Sequence, residues 1–334
     1  MWTLLTLIVG VVGFGLAWLV QFPAPALTGP AISVGLISLF GFSSAVYLPV
    51  RNLSFVVIGI SMGSEVTPAV IRAAQAWPIS FLALVISIVM ILALTIAVLR
   101  RLWRYDGTTA ALAATPGHLS YVISLSIGRG GDTSTVAVVQ TLRIFSLTLI
   151  VPLMAALAGY DVGLQKPPEI LLSYLHLTVL LLASGLVAVV AGRFRLPAAF
   201  LLAGMACSAI GHLADFTPGA PPQWAVIPAY VILGCLIGSR FANTGWKMLR
   251  KAFTAGIGVT VIASAISVFW AALVSSFLGI SFPQALIAFA PGGVETMAAM
   301  SVILEVDSTF VAIHHIWRLL ILTVVAPMFL PRSQ

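Results

Sequence analysis

Two arginines stand within long apolar stretches of the chain, where an ionised side chain is costly. Arg143 and Arg318 each lie eleven residues after an aspartate, Asp132 or Asp307, which begins a run typical of a helix N-cap. Eleven residues span about 16 Å of α-helix, which places both guanidinium groups near the middle of a bilayer. An arginine at that depth costs several kcal/mol unless it meets water, a partner or a ligand. We expect the pair either to bind an anionic solute or to cap backbone carbonyls and hold the fold together.

A Pro-Gly break precedes each aspartate: Thr115-Pro116-Gly117-His118 in the first case and Ala290-Pro291-Gly292-Gly293 in the second. Proline removes a backbone donor and glycine permits a sharp reversal, so each break predicts the tip of a re-entrant hairpin. A kinked but continuous span is the alternative. The second arm of each hairpin would point its free N–H groups at an anion. Besides the arginines, the predicted solute contacts are Pro116, Gly117, His118, Ser120, Pro291, Gly292, Gly293, Glu295 and Thr296.

Three polar residues, Glu295, His315 and Gln140, are candidates for coupling solute movement to a proton or another ion. Glu295, in the first turn of a second arm, suits both a salt bridge with Arg318 and proton uptake. His315 lies one turn before Arg318 and aligns with Gln140, so His315 and Glu295 could form a relay. A histidine that is simply hydrogen-bonded inside the bundle is the other interpretation.

No catalytic or metal-binding pattern accompanies these residues. The five histidines are scattered, without a pair at metal-ligand spacing, at His118, His176, His212, His314 and His315. No P-loop, nucleophile elbow or nucleophile–base pair is present in the sequence. We therefore expect neither an enzyme nor a metal or other cofactor.

The arginine segments are copies of each other. Residues 114–152 align without a gap with residues 289–327, 175 positions later, and ten positions are identical, where chance gives roughly three. The identities include the Pro-Gly pair, the aspartate, the arginine and a later proline. The sequence predicts a duplication, with a first repeat at 1–158, a linker at 159–170 and a second repeat at 171–334.

Composition assigns the chain to the membrane. Hydrophobic residues make up 60% of it, charged residues 7%, and the mean hydropathy is +1.13. Soluble domains carry about 25% charged residues. Uncharged stretches such as 2–20 and 77–99 can cross a hydrocarbon core of about 30 Å. The net charge of +7 lies in short loops without an aromatic-interleaved basic stripe, so no nucleic-acid partner is predicted.

Loop charges decide between two topologies. The apolar segments are 2–20, 24–48, 53–71, 77–99, 108–128, 133–158, 171–192, 197–214, 223–240, 252–279, 283–304 and 308–330. If all of them cross, the basic residues divide six against eight; if 108–128 and 283–304 are re-entrant, they divide twelve against two. Unless loop charges carry no information here, the fold is all-α, with two inverted repeats of five transmembrane helices plus one re-entrant Pro-Gly hairpin each. Both termini are then cytoplasmic.

The two signatures, ATPGHLS…D…QTLR…P from Ala114 and APGGVE…D…HHIWR…P from Ala290, are similar to those of the AbrB family of duplicated bacterial membrane proteins. The resemblance covers essentially the full length. In outline, the pattern also resembles the bile-acid/sodium, glutamate–sodium and 2-hydroxycarboxylate transporters, which implies a homodimer. Two departures limit the comparison: the first tip has His118 where the second has Gly293, and Ser120 stands opposite Glu295.

These observations predict a secondary active transporter of the bacterial cytoplasmic (inner) membrane. It would move a small, carboxylate-bearing anion by alternating access, coupled to H⁺ or Na⁺. Its partners would be that solute, the coupling ion and the lipid bilayer. Family members are also labelled ammonia monooxygenases or regulators. A membrane-bound enzyme, a membrane regulator and a channel are therefore the alternatives, although the sequence lacks the copper ligands that oxygenase chemistry needs.

Overall fold

A computed structural model describes residues 2–116, 119–164, 167–194, 196–242 and 244–331. These residues form α-helices joined by short connections, without a β-strand among them. In chain order the helices are α1 (Trp2–Leu19), α2 (Pro25–Leu39), α3 (Leu48–Gly63), α4 (Pro68–Ala73), α5 (Trp77–Leu102), α6 (Gly107–Ala114), α7 (Leu119–Gly128), α8 (Thr133–Leu157), α9 (Tyr174–Arg193), α10 (Ala199–Leu213), α11 (Gln223–Ser239), α12 (Trp246–Leu278), α13 (Phe282–Phe289), α14 (Val294–Ile303) and α15 (Ser308–Met328).

Six helical runs in the described residues are long and apolar enough to cross a membrane: Trp2–Leu19, Pro68–Leu102, Thr133–Leu157, Tyr174–Arg193, Trp246–Leu278 and Ser308–Met328. Four more apolar helices, α2, α3, α10 and α11, are shorter, at 15 to 17 residues. The chain is therefore an all-α, multi-pass membrane protein. The finer arrangement of ten spans and two hairpins stays a prediction.

The second and third helices differ from the predicted segments 24–48 and 53–71. Helix α2 ends at Leu39, just before Gly41, whose φ of +90° is incompatible with a right-handed helix. Helix α3 begins at Leu48, with Pro49 in its first turn, and ends at Gly63. A new helix, α4, then starts at Pro68, where the Val70 N–H donates to Thr67 Oγ1 at 3.4 Å. Apolarity alone did not mark these boundaries.

Helix boundaries repeat along the chain at the same interval as the sequence. Helices α6 and α13 begin 175 positions apart, at Gly107 and Phe282, and each ends just before its Pro-Gly break. Helices α7 and α14 also begin 175 positions apart, and so do helices α8 and α15. The breaks interrupt the helices because a proline cannot donate to the preceding turn.

The helices group into two compact units, and each unit takes segments from both halves of the sequence. The first unit comprises Met1–Gln75, Pro152–Asn243 and Glu295–Ala312, and the second comprises Ala76–Val151, Thr244–Val294 and Ile313–Gln334. Within the first, α3 packs on α10 and α2 packs on α11 and α1. Within the second, α12 packs on α5 and α13. Small apolar clusters support both, such as Val56 with Leu180 and Ile91 with Ala263.

Glycines set the closest helix contacts of the first unit. A Cβ at Gly59 of α3 would collide with the Leu201 carbonyl oxygen of α10, and a Cβ at Gly234 of α11 would collide with the Leu27 carbonyl oxygen of α2. Gly59 and Gly234 are themselves 175 positions apart. Small residues at such crossings let the backbones approach closely, which is how helices pack in a membrane.

Alanine at Gly59 or Gly234 should destabilise the protein by about 1–3 kcal/mol, because a backbone carbonyl cannot move aside as a side chain can. The matched control is Gly185→Ala in α9, where the Cβ position is open and alanine should be neutral or slightly stabilising. Thermal unfolding of the detergent-purified variants measures the difference. Equal melting temperatures for Gly59→Ala and Gly185→Ala would contradict the close α3–α10 contact.

Candidate solute-binding site

Helix α8 carries Arg143, and its start is fixed by Asp132. The Asp132 carboxylate accepts from the Thr135 N–H at 3.0 Å and from the Thr135 hydroxyl at 2.7 Å. These bonds lower the pKa of the Asp132 carboxyl. The Asp132 N–H donates to Thr109 Oγ1 at 2.9 Å, so the start of α8 lies beside the start of α6. The chain thus returns, after α6 and α7, to the place where α6 began.

Arg143 is fully buried and donates to the carbonyls at the end of α6. Its Nη2 lies 3.1 Å from the Thr115 oxygen and its Nη1 lies 3.5 Å from the Ala114 oxygen. Gln140 Oε1 also accepts from Arg143, and Gln140 Nε2 donates to the Leu112 and Thr115 oxygens at 3.0 and 2.7 Å. The last carbonyls of a helix have no partner within it, and these two side chains provide one.

Arg318 repeats the arrangement at the end of α13. Its Nη1 donates to the Ala290 oxygen at 2.6 Å and its Nη2 donates to the Ala288 oxygen at 2.7 Å. His315 takes the place of Gln140: its Nε2 lies 3.0 Å from the Ile287 oxygen, and its Nδ1 lies 3.2 Å from Arg318 Nη1. Ile287 and Ala290 stand 175 positions after Leu112 and Thr115, so these two contacts recur in both networks, whereas Ala288 and Ala114 do not align with each other.

These contacts define the state of the His315 ring. Arg318 is a donor without acceptor capacity, so Nδ1 accepts from it and Nε2 carries the proton that goes to Ile287. A second proton on Nδ1 would remove the bond to Arg318 and place two like charges side by side. The geometry therefore suits a neutral imidazole that orients Arg318.

Neutral acceptors, and no carboxylate of the described residues, surround the charge at this site. In the part of the chain that the structure describes, neither arginine has a carboxylate within 4.0 Å, and the one ion pair there joins Lys251 to Asp132 at 3.5 Å. The Nε of Arg143 is buried and has no hydrogen-bond partner among the residues that the structure describes. Two guanidinium groups thus share one compact unit with neutral acceptors only, which is an arrangement that favours an anion.

The remaining predicted contacts fall in different places. Pro116, Pro291 and Gly292 are buried next to the ends of α6 and α13, and Gly293 is half-buried. Gly117 and His118 lie outside the described residues. Ser120 belongs to α7. Thr296 is buried and Glu295 is half-buried, and both belong to the first unit. Asp307 belongs to the first unit as well. Its carboxylate accepts from the Thr309 and Phe310 N–H groups at 2.9 and 3.0 Å.

The structure adds a contact that the sequence did not reveal. His314 Nε2 lies 2.7 Å from Ser80 Oγ, and its ring is surrounded by Trp77, Phe81 and Phe289. The adjacent His314-His315 pair was the one available signal, and it did not show that the two rings point to different partners.

Exchange between the two copies tests the network. In His315→Gln, the amide should replace both ring contacts, as Gln140 does in the first copy, so the melting temperature should stay close to that of the wild type. His315→Leu should cost about 1–3 kcal/mol, because the Ile287 carbonyl and Arg318 both lose a buried partner. Thermal unfolding in detergent gives both values. Equal losses for glutamine and leucine would contradict the proposed equivalence of the two networks.

Comparison with known proteins assigns the chain to a family. The family model described as "Transition state regulatory protein AbrB" matches residues 27–333. "Uncharacterized protein YhjN" of Bacillus subtilis (strain 168) is 28% identical over 299 residues, which are 83% of this chain and 77% of the relative. "Putative regulator AbrB" of Escherichia coli (strain K12) is 24% identical over 320 residues, 92% of this chain and 89% of that protein. The chain belongs to the AbrB family.

Proposed function

We propose that this AbrB-family protein is a secondary active transporter of a small, carboxylate-bearing anion. The observation that carries the proposal is the pair of buried arginines, Arg143 and Arg318, without a carboxylate partner among the described residues. An uncompensated guanidinium in a membrane interior costs several kcal/mol, and chains that retain one use it for function. Planar guanidinium groups bind carboxylates in a bidentate geometry, which explains the choice of arginine over lysine.

The carbonyl contacts explain how the arginines are held before a solute arrives. Carbonyl oxygens offset part of each positive charge without neutralising it, and they fix the guanidinium planes. Among the described residues the Nε of Arg143 has no partner, which leaves it as a donor for the solute. A preorganised cation with spare donors binds an anion with little further loss of side-chain conformational entropy.

The architecture suits transport. The duplicated helices α6–α7 and α13–α14 are both interrupted at Pro-Gly, and transporters place solute sites at such broken helices. We infer that these pairs are re-entrant hairpins within ten spans, that both termini are cytoplasmic, and that rocking of one bundle against the other gives alternating access. Coupling to H⁺ or Na⁺, a homodimer in the cytoplasmic membrane of a bacterium and the absence of enzymatic activity belong to the same proposal.

A regulatory role is the second candidate, because the Escherichia coli relative is named a regulator. Uptake separates the two. Proteoliposomes that contain only this protein should accumulate a labelled carboxylate if it is a transporter, whereas a regulator should bind the solute without moving it.

Binding of the anion can be measured by thermal stabilisation of the detergent-purified protein. Acetate, succinate, citrate and glutamate should be compared with chloride, ammonium and choline. A solute present at 100 times its Kd adds about 2.7 kcal/mol to the free energy of unfolding. We expect stabilisation by one or more carboxylates, and its loss in Arg143→Ala and in Arg318→Ala.

The control is Arg250→Ala, which removes an exposed arginine of the second unit and should leave the stabilisation intact. Because each site arginine also caps carbonyls, both site variants should melt at a lower temperature without solute, so the solute-induced shift is the readout. Stabilisation by ammonium or choline, or a carboxylate effect that survives both substitutions, would show that the arginines are structural only.

A further inference from the structure

A carboxylate in the first unit is joined to a chain of hydroxyl groups that the proposed solute site does not use. Glu65 lies in the turn after α3, outside both neighbouring helices. Its Oε2 accepts from the Ser308 hydroxyl at 2.6 Å, at the first residue of α15. Ser301 Oγ of α14 lies 3.0 Å from Ser308 Oγ and 2.7 Å from the Ala298 oxygen, so its one proton can go to either acceptor. Residues 243 positions apart thus share a short hydrogen bond.

This hydrogen bond can run in either direction. With Glu65 ionised, the Ser308 hydroxyl donates to the carboxylate. With Glu65 protonated, the carboxyl O–H can donate to Ser308 Oγ, and the Ser308 hydroxyl can turn to the Val306 oxygen, 3.4 Å away. A hydroxyl group has one donor and two acceptor sites, so Ser308 satisfies both protonation states without a change of fold.

The charges around Glu65 favour the protonated form. Asp307 and Glu305 repel its carboxylate, and in the described part of the chain no cation lies within 4.0 Å of it. The first N–H groups of α15 are already taken by Asp307. Desolvation by the surrounding protein, together with this repulsion, raises the pKa of the Glu65 carboxyl to about 8, although the Ser308 bond opposes the change. Glu65 nevertheless keeps an exposed surface.

A buried hydroxyl group on α11 belongs to the same unit as Glu65. Tyr230 is 2% exposed, and its hydroxyl has no hydrogen-bond partner among the described residues. Tyr230 also lines a cavity of about 20 Å³ beside Ile303, which is enough for one water molecule.

We propose that Glu65, together with Ser308, forms a proton-binding site of this protein. The inference rests on the proposed transport function in one respect: it makes Glu65, instead of Glu295 or His315, the group that carries the coupling proton. His315 is engaged at both nitrogens, whereas Glu65 has an exposed surface and a hydroxyl partner that can donate to it or accept from it.

Infrared difference spectroscopy of the full chain in liposomes tests the site directly, since the protonated carboxyl has its own C=O band. Titration from pH 5 to 9 should remove a band with a midpoint of about 8 in the wild type. The band should be missing in Glu65→Gln and present in Glu295→Gln and in Glu169→Gln, an exposed linker control. A band that persists in Glu65→Gln, or that disappears in Glu295→Gln, would overturn the proposal.

A second variant covers the case in which Glu65→Gln does not fold. Ser308→Ala removes the hydrogen bond that stabilises the ionised carboxylate, so the midpoint should move to higher pH. An unmoved midpoint would contradict the pairing of Glu65 with Ser308.

The pH dependence of the melting temperature provides a further test of the Glu65 site. Because the folded carboxyl has a raised pKa, the folded chain holds more protons than the unfolded chain between pH 4.5 and about 8. The melting temperature of the wild type should therefore fall relative to that of Glu65→Gln as the pH rises through this window. A difference that stays constant with pH would count against the site.

The infrared titration and the solute measurements can fail independently, so together they show whether the proton site, the transport function or both are wrong. If no carboxylate stabilises the protein but the infrared band titrates as described, the proton site stands and the transport proposal fails. If succinate binds and its uptake depends on a pH gradient equally in the wild type and in Glu65→Gln, transport stands and Glu65 does not couple it.

Discussion

The cost of burying two guanidinium groups without a counter-charge is the constraint on which the rest of this structure depends. A buried ion loses several kcal/mol of hydration, and a paired carboxylate would be the usual compensation. Here Arg143 and Arg318 are compensated by carbonyl oxygens, Gln140 and His315. Charge-assisted bonds to neutral acceptors are strong enough to hold an arginine, yet they leave its net charge in place. That residual charge is what an anionic solute would satisfy.

The same constraint explains the broken helices. A continuous helix would use its carbonyls internally and have none to offer, whereas the Pro-Gly breaks after α6 and α13 release the terminal carbonyls. The arginines then satisfy those carbonyls and the carbonyls satisfy the arginines. Ser267, which donates to the Phe289 oxygen at 2.9 Å, completes the set in the second copy. The break without the arginine would leave buried carbonyls unsatisfied, and the arginine without the break would lack acceptors. Both features occur together in each copy.

Much of this could be read from the sequence, and the rest could not for identifiable reasons. The aspartate caps and the helix breaks follow from local residue types and spacing. Besides Gln140 and His315, the partners of the arginines are main-chain oxygens, so side-chain identity did not point to Ala114, Ala288 or Ala290. The bond between Glu65 and Ser308 joins segments too far apart for any periodicity to reveal. The ends of α2 and α3 were misplaced because apolar turns resemble apolar helices in composition.

The central claim is that the two buried arginines touch the carboxylate of the solute. Solid-state NMR on the full chain in bilayers, with ¹⁵N-labelled arginine side chains and ¹³C-carboxyl acetate, succinate or citrate, measures that proximity directly. The account predicts dipolar coupling between the carboxyl carbon and guanidinium nitrogens that requires both Arg143 and Arg318, and that an Arg250→Lys control retains. A bound carboxylate that shows no coupling to any guanidinium nitrogen, or coupling that survives replacement of both buried arginines by lysine, would contradict it.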